Sequence, residues 1–429
     1  MARSLSGPRV EDPRYREVMA ERTNHAHELS RGVSAWSTGA LERHPLRLPE
    51  LVLGFLLALE VYPLPLGPFS VPVNEAAMMT LLGLAILRRS ARDTSRLGVT
   101  ALLAGGVLLY LAGLSLAQGI PDADWLRRLV RMAALTALVG CFAGRRLSLR
   151  SVLVGLLTAM AVNVPLFYLG LVPAPYGGFL TGFLADKNVA GLYYAAIPVL
   201  ALPYIRTPQR RLLVLLAAAV CLFLTGSRTS MAAFACAVVW VWLTPRLGPV
   251  LRIGLLLALG WAVAYAEDNL ARIGIFSDRD GTDWFRGRIH DATALKVEGT
   301  PWTGRGLTEA HVTLDEDGSS WLFHNSYAGL YVEGGAILFG AMLLAYAVYG
   351  LRLTSGRLRT PPRVAVEAAA VVVLVTATQL GEVFVTIPSM LILAAGVGLA
   401  LTEAETAAEE QITDRRREQI LEQARARFA

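Results

Sequence analysis

LGVTALLAGGVLLYLAGLSLAQ, residues 97–118, holds twenty-two positions without one charge, and its reading decides the fold. A continuous apolar run of about 20 residues matches a hydrocarbon core about 30 Å thick, where only a helix satisfies its own backbone groups along such a run. Comparable windows recur along nearly the whole 429-residue chain, centred near residues 57, 80, 107, 135, 161, 196, 218, 237, 257, 339, 373 and 394. With 54% hydrophobic and only 17% charged residues, the chain has more apolar surface than a soluble core uses. The expected fold is therefore all-α, a polytopic membrane protein of about 12 transmembrane helices.

The distribution of charge orients it. Arg88, Arg89, Arg92 and Arg96, then Arg145, Arg146 and Arg150, then Arg206, Arg210 and Arg211 fall in loops on one side. Arg246 and Arg252, then Arg352, Arg357, Arg359 and Arg363, and finally Arg415 to Arg417 continue the pattern. Basic loops of this kind mark the cytoplasmic face, and an even number of spans puts both termini there. The organisation predicted is a cytoplasmic tail over 1–47, spans 1–9 over 48–266, one large extracytoplasmic loop over 267–323, spans 10–12 over 324–402, and a cytoplasmic tail over 403–429. The first segment has no apolar run near Met1, so it does not read as a signal peptide. The last alternates acidic and basic residues with alanine and reads as a solvated helix. Within the large loop, Arg288 to Val297 has helical character, and Pro301, Gly304 and Gly306 end it. Cys141, Cys221 and Cys236 all lie inside spans, where a thiol behaves as a small apolar group, so no disulfide or zinc framework is implied.

Polar residues that persist in such a chain are the candidates for function. His324, followed by Asn325 and Tyr327, stands at the mouth of the tenth span with Glu333 further along it. Neutral imidazole accepts a proton from a hydroxyl near pH 7, the task of a general base, and the alternative is an interfacial histidine without a catalytic role. Arg228 lies in Thr225-Gly226-Ser227-Arg228-Thr229-Ser230 between two apolar runs on the same predicted side; it reads either as an interfacial anchor or as a phosphate-binding group in a polar pocket. Arg127, Arg128 and Arg131 break the basic-inside pattern. They pair with Asp122 and Asp124, or they recognise phosphate through planar guanidinium groups, with Arg128 and Arg131 on one helix face. Asn188, after Lys187, contributes to the site or caps a helix.

His290, His311 and His324 with Asp315, Glu316 and Asp317 match no compact metal-ligand spacing, and Asp278 to Asp283 lacks the full calcium-loop pattern and reads as a turn. Glu60, Glu75, Glu367, Gln379 and Glu382 lie within spans or near their ends, scattered over several helices. A lipid-linked oligosaccharide flippase or other secondary transporter is the alternative function these carboxylates raise. It predicts a charged cavity at mid-membrane and repeat symmetry, and the sequence has no detectable repeat.

These motifs together resemble the O-antigen ligase and O-antigen polymerase superfamily of bacterial envelope polysaccharide enzymes. The resemblance rests on Thr225, Ser227 and Arg228 as a Thr-x-Ser-Arg segment, on Asn188 before the sixth span, and on Arg288 with a Pro301-x-x-Gly304-x-Gly306 turn. A His324-Asn325-x-Tyr327 segment with Glu333-Gly334 downstream completes it. It is specific from about Gly182 to Gly340 and topological elsewhere. Arg286 competes with Arg288 for the family's loop arginine, and His290 or its neighbours stand where tryptophan is frequent. The resemblance implies a GT-C-like fold in the bacterial cytoplasmic (inner) membrane with its active site on the extracytoplasmic face. It implies metal-independent, inverting transfer of a glycan from undecaprenyl diphosphate to an acceptor hydroxyl, without a cofactor. His324, Arg228 and Arg288 would be catalytic, with Arg286, Asn188, Arg128, Arg131, Asn325 and Tyr327 binding substrate. The implied partners are the lipid-linked glycan donor, a glycan or lipid-glycan acceptor, the bilayer and proteins of polysaccharide assembly, with no nucleic acid.

Overall fold

The computed structural model describes residues 45–66, 69–120, 124–270, 280–314, 319–353 and 359–428. Its helices are α1 (Leu48–Leu56), α2 (Val73–Ile86), α3 (Gly98–Ala117), α4 (Asp124–Ala143), α5 (Leu149–Tyr168), α6 (Lys187–Ala201), α7 (Pro208–Thr225), α8 (Arg228–Leu243), α9 (Pro249–Leu270), α10 (Asp280–Glu298), α11 (Ser326–Ala345), α12 (Pro361–Thr376) and α13 (Ile387–Phe428). Two short hairpins join them: β1 (Pro63–Leu66) with β2 (Phe69–Pro72), and β3 (His311–Thr313) with β4 (Ser320–Leu322), both antiparallel. A helix covers each predicted span centre except residue 57, which lies in the turn that ends α1. The helix expected from Arg288 to Val297 is the C-terminal half of α10.

Among the described residues, five helical segments are long and apolar enough to cross a membrane: Ser95–Ala117, Leu149–Tyr168, Pro208–Thr225, Ser326–Gly350 and Ile387–Glu409. The others fall short for reasons that can be named. α4 has twenty residues but carries Asp124, Arg127, Arg128 and Arg131. α6 and α12 have 15 and 16 residues, about 22–24 Å at 1.5 Å per residue. Both are the interior of the bundle. All positions of α6 from Ala190 to Ala201 are buried, as are Val364 to Val373 in α12, where Glu367 is the one charged side chain among apolar ones. The two pack on each other and on α8. By contrast α3 and α7 turn Val99, Leu102, Leu103 and Leu109, or Leu212, Leu213, Leu216 and Phe223, outward, the surface expected of helices facing lipid.

Local sequence explains the helix starts. Ser148 caps α5 by accepting from the Ser151 N–H at 3.2 Å, Asp186 caps α6, and Thr207 with Pro208 opens α7. Asp93 accepts from the Ser95 N–H and hydroxyl, both at 2.8 Å, which fixes the turn into α3 and holds its carboxyl below the ordinary range. Close helix packing rests on glycine: a Cβ on Gly155 of α5 would stand 2.1 Å from the Leu51 carbonyl oxygen of α1, and one on Gly54 would stand 2.4 Å from that of Val152. Gly155→Leu is therefore expected to push α1 off α5, an overpacking of about 1–3 kcal/mol or more. Loss of the monodisperse peak after heating in detergent, at temperatures the native chain survives, checks it.

One end of the bundle is braced by buried ion pairs from the arginine-rich loops. Arg363, 1% exposed, donates to Glu403 at 2.9 Å and to the Tyr349 carbonyl at 3.0 Å. Arg359 pairs with Glu367 at 2.8 Å, and Trp240 Nε1 donates to the same carboxylate at 3.2 Å. Arg92 reaches the Gly398 carbonyl, Thr402 and Glu405. Arg357 lies outside the described residues.

Candidate active site

The other end gathers the candidate residues. The turn between α7 and α8 is closed by Gly226 in the left-handed region (φ +65°), where a Cβ would stand 2.4 Å from the Phe179 ring. Thr225 donates to the Leu222 carbonyl at 2.7 Å, and the Ser227 hydroxyl lies 2.9 Å from that of Ser230 and 3.3 Å from Asn188 Oδ1. Asn188 thus backs the turn with its side chain, while Asp186 does the capping, accepting from the Asn188 and Val189 N–H groups at 2.7 and 3.2 Å. Arg228 is the first residue of α8 and half-buried. A guanidinium at the positive end of a helix dipole is an arrangement that favours an anion.

His324 follows β4 directly. Phe323, 1% exposed, joins Ile289, Val312, Leu314 and Val332 in a small apolar cluster separate from the main core, and its N–H donates to the Ala310 carbonyl at 3.2 Å. His324 itself is exposed. Asn325 caps α11, accepting from the Tyr327 and Ala328 N–H groups at 2.9 and 3.1 Å. Tyr327 donates to the Leu374 carbonyl at 2.8 Å and meets Phe384 edge-on at 5.3 Å. In the His-Asn-x-Tyr segment, two side chains hold the helix start and the third is presented outward. Arg288 is half-buried on α10 next to Ile289, which sits in the same cluster as Phe323. The two candidates thus flank one five-residue core. The side chain of Arg286 lies outside the described residues, as do Asp122, Arg279 and Asp315 to Asp317.

Antiparallel packing brings the two groups to the same end. Trp240, near the close of α8, meets Glu367, near the start of α12, so the α8 N-terminus lies level with the α12 C-terminus. There the Ser326 N–H donates to the Ala377 carbonyl at 2.9 Å and its hydroxyl to that of Leu380, seating α11 on the end of α12.

Beside them stands a break in α11 that the sequence reading did not foresee. Gly335 has φ +60° and ψ −157°, and the Pro301–Gly306 turn lies against it: Arg305 N–H donates to Val332 at 2.7 Å, Gly306 N–H to Glu333 at 3.0 Å, and Ala336 N–H to Trp302 at 2.8 Å. From α3, Tyr110 donates to the Thr303 carbonyl and Ser115 Oγ accepts the Leu307 N–H at 3.0 Å. Glu333, 2% exposed, accepts from the Thr308 N–H at 3.0 Å and from Arg128 Nη2 at 2.9 Å, and Arg128 also binds Glu382. Arg127 pairs with Glu75 at 3.0 Å. Arg127 and Arg128 therefore pair with glutamates distant in the chain, Glu75 on α2, Glu333 on α11 and Glu382 in the turn before α13, while Asp122, one of the expected partners, lies outside the described residues. The signal in the sequence was the arginine trio on the wrong side of the charge pattern, and the partners were hidden by separations of 205 and 254 residues.

Glu60, Glu75, Glu333, Glu367 and Glu382 each have a partner, Glu60 accepting from Tyr193 at 3.0 Å. Among the described residues no group of three or more His, Cys, Asp or Glu is placed to hold a metal ion.

Fold and site together define a helical membrane protein whose polar motifs converge at one end of the bundle. Residues 213–345, from α7 through α11, match the family model for O-antigen ligase, which supports membership of the O-antigen ligase and polymerase superfamily. The matched segment contains Arg228, Arg288, the Pro301–Gly306 turn, His324 and Glu333. No curated protein matches the chain.

Proposed function

We propose that the protein is a glycosyltransferase of the O-antigen ligase and polymerase type, acting on the extracytoplasmic face of the bacterial cytoplasmic membrane. It transfers a glycan from undecaprenyl diphosphate to an acceptor hydroxyl with inversion and without a metal. The acceptor oxygen attacks the anomeric carbon from the side opposite the diphosphate, the carbon–oxygen bond to phosphate breaks, and the acceptor proton passes to the His324 imidazole. Arg228 and Arg288 take up the charge that develops on the departing diphosphate, and fixed cations in a partly dry site stabilise that charge more than water does. Asn188 holds the Arg228 turn, Asn325 and Tyr327 hold His324, Arg286 and Arg131 add positive charge around the diphosphate, and Arg128, tied to Glu333 and Glu382, braces the site in place of the substrate contact expected of it.

What supports this reading is that Arg228, Arg288 and His324 all fall in the segment that matches O-antigen ligase, with Ile289 and Phe323, the neighbours of Arg288 and His324, in one small apolar cluster. Carboxylates paired with arginine or tyrosine instead of lining a path speak against the transporter alternative. The test uses purified protein in nanodiscs with an undecaprenyl-diphosphate oligosaccharide. A ladder of longer lipid-linked glycans without further additions identifies a polymerase. Release of the carrier diphosphate only when a separate lipid-glycan acceptor is added identifies a ligase. Movement of intact donor across vesicles with neither product overturns the proposal.

A further inference from the structure

Between α2 and α4 lies a cavity of about 350 Å³, within the range of ligand pockets, lined by Val71, Met78, Met79, Leu126 and Val130 with Glu75, Arg127 and Arg131. Its walls are apolar and its cations sit one turn apart, at positions i and i+4 in the first two turns of α4. Met79, Leu126 and Val130 are 46%, 50% and 46% exposed, so the cavity opens on the side of the bundle, toward where lipid chains would lie. Arg128, between the two arginines, turns the other way to Glu333 and Glu382.

The polar end leads toward the candidate active site. Arg131 acts electrostatically on Glu60, Glu60 accepts from Tyr193 of α6, and Asn188 at the start of α6 contacts Ser227 beside Arg228. We infer that this cavity is the entry site for the donor's carrier: one isoprenoid chain lies between Met78, Met79 and Val130 while its phosphates meet Arg127 and Arg131. This deepens the function proposed above and rests on it. Three physical points favour this occupant. Two guanidinium groups complement a doubly charged diphosphate head. Thioether walls adapt to a methyl-branched chain. The chain of polar contacts from Glu60 through α6 to the Arg228 turn also suits a lipid whose head must reach the site, whereas a bilayer phospholipid has no need of it. Glu75 neutralises part of the charge on Arg127 at 3.0 Å, so its removal should tighten binding.

The experiment is photolabelling of the full chain in phosphatidylcholine nanodiscs with a diazirine-bearing polyprenyl diphosphate, followed by peptide mapping. Labels are expected on Met78, Met79 or Val130, competed by unlabelled polyprenyl diphosphate but not by phosphatidylglycerol or inorganic diphosphate. Met79→Trp and Val130→Trp, which fill the cavity from exposed positions, should reduce labelling about tenfold or more, whereas Glu75→Gln should raise it. Equal competition by phosphatidylglycerol overturns the assignment, as do competed labels that map only beside Arg228 and His324, which would leave the proposed function standing. Absence of competed labelling anywhere overturns both.

Discussion

His324→Ala is expected to lower glycan transfer by about 10²–10⁴-fold, the contribution typical of a positioned general base. Arg228→Ala should lower it by about 10²–10³-fold, as does loss of one fixed group facing a developing negative charge, and Arg228→Lys should restore only part because ammonium lacks the planar fork. Both variants should reach the membrane and elute like the parent protein. His324 is exposed, and the backbone around it is held by Phe323, Asn325 and Tyr327. Turnover of undecaprenyl-diphosphate glycan is the measurement, with carrier binding followed separately: Arg228→Ala should weaken it, whereas His324→Ala should leave it intact. Full activity in either variant would sink the mechanism.

Gly335→Val should inactivate the protein by a different route. At φ +60° and ψ −157° the backbone occupies a region essentially reserved for glycine, and an added Cβ would stand 2.0 Å from the Trp302 carbonyl oxygen. Strain alone costs about 1–3 kcal/mol. Relief requires the Pro301–Gly306 turn to leave α11, and with it go the bonds from Arg305, Gly306 and Ala336. Limited proteolysis should then cut between residues 299 and 323, where the parent chain resists, and transfer should fall with it. Gly340→Val, on the same helix with nothing within 4 Å of the added Cβ, is the matched control and should change neither.

The positions of the helices were legible because burial in lipid needs a run of apolar residues, and such runs can be read without knowing any partner. The helix of the large loop was legible for a related reason, since Pro301, Gly304 and Gly306 stop it locally. Helix length was less so. α6 and α12 are short because other helices, not lipid, surround them, and nothing in a single window distinguishes those environments. The candidate residues stood out in the sequence as polar types among apolar runs, but the contacts each makes in the fold did not. Asn325 and Tyr327 read as substrate ligands in the sequence, and in the fold Asn325 Oδ1 and the Tyr327 hydroxyl also bond helix ends. The Arg128 ion pairs and the break at Gly335 depend on chain segments far apart, which periodicity does not encode.

Those separations bear on how the molecule is made. Glu333 and Glu382 are 205 and 254 residues downstream of Arg128. At about 5–20 residues per second a ribosome needs on the order of ten to fifty seconds to supply them. Throughout that interval the start of α4 has to wait at the membrane surface with its guanidinium in water or against lipid phosphate, and the bend in α11 has nothing to close upon. The candidate catalytic end thus cannot close until residue 382 has been made, and a nascent chain interrupted before it would hold its motifs without the Arg128 clamp.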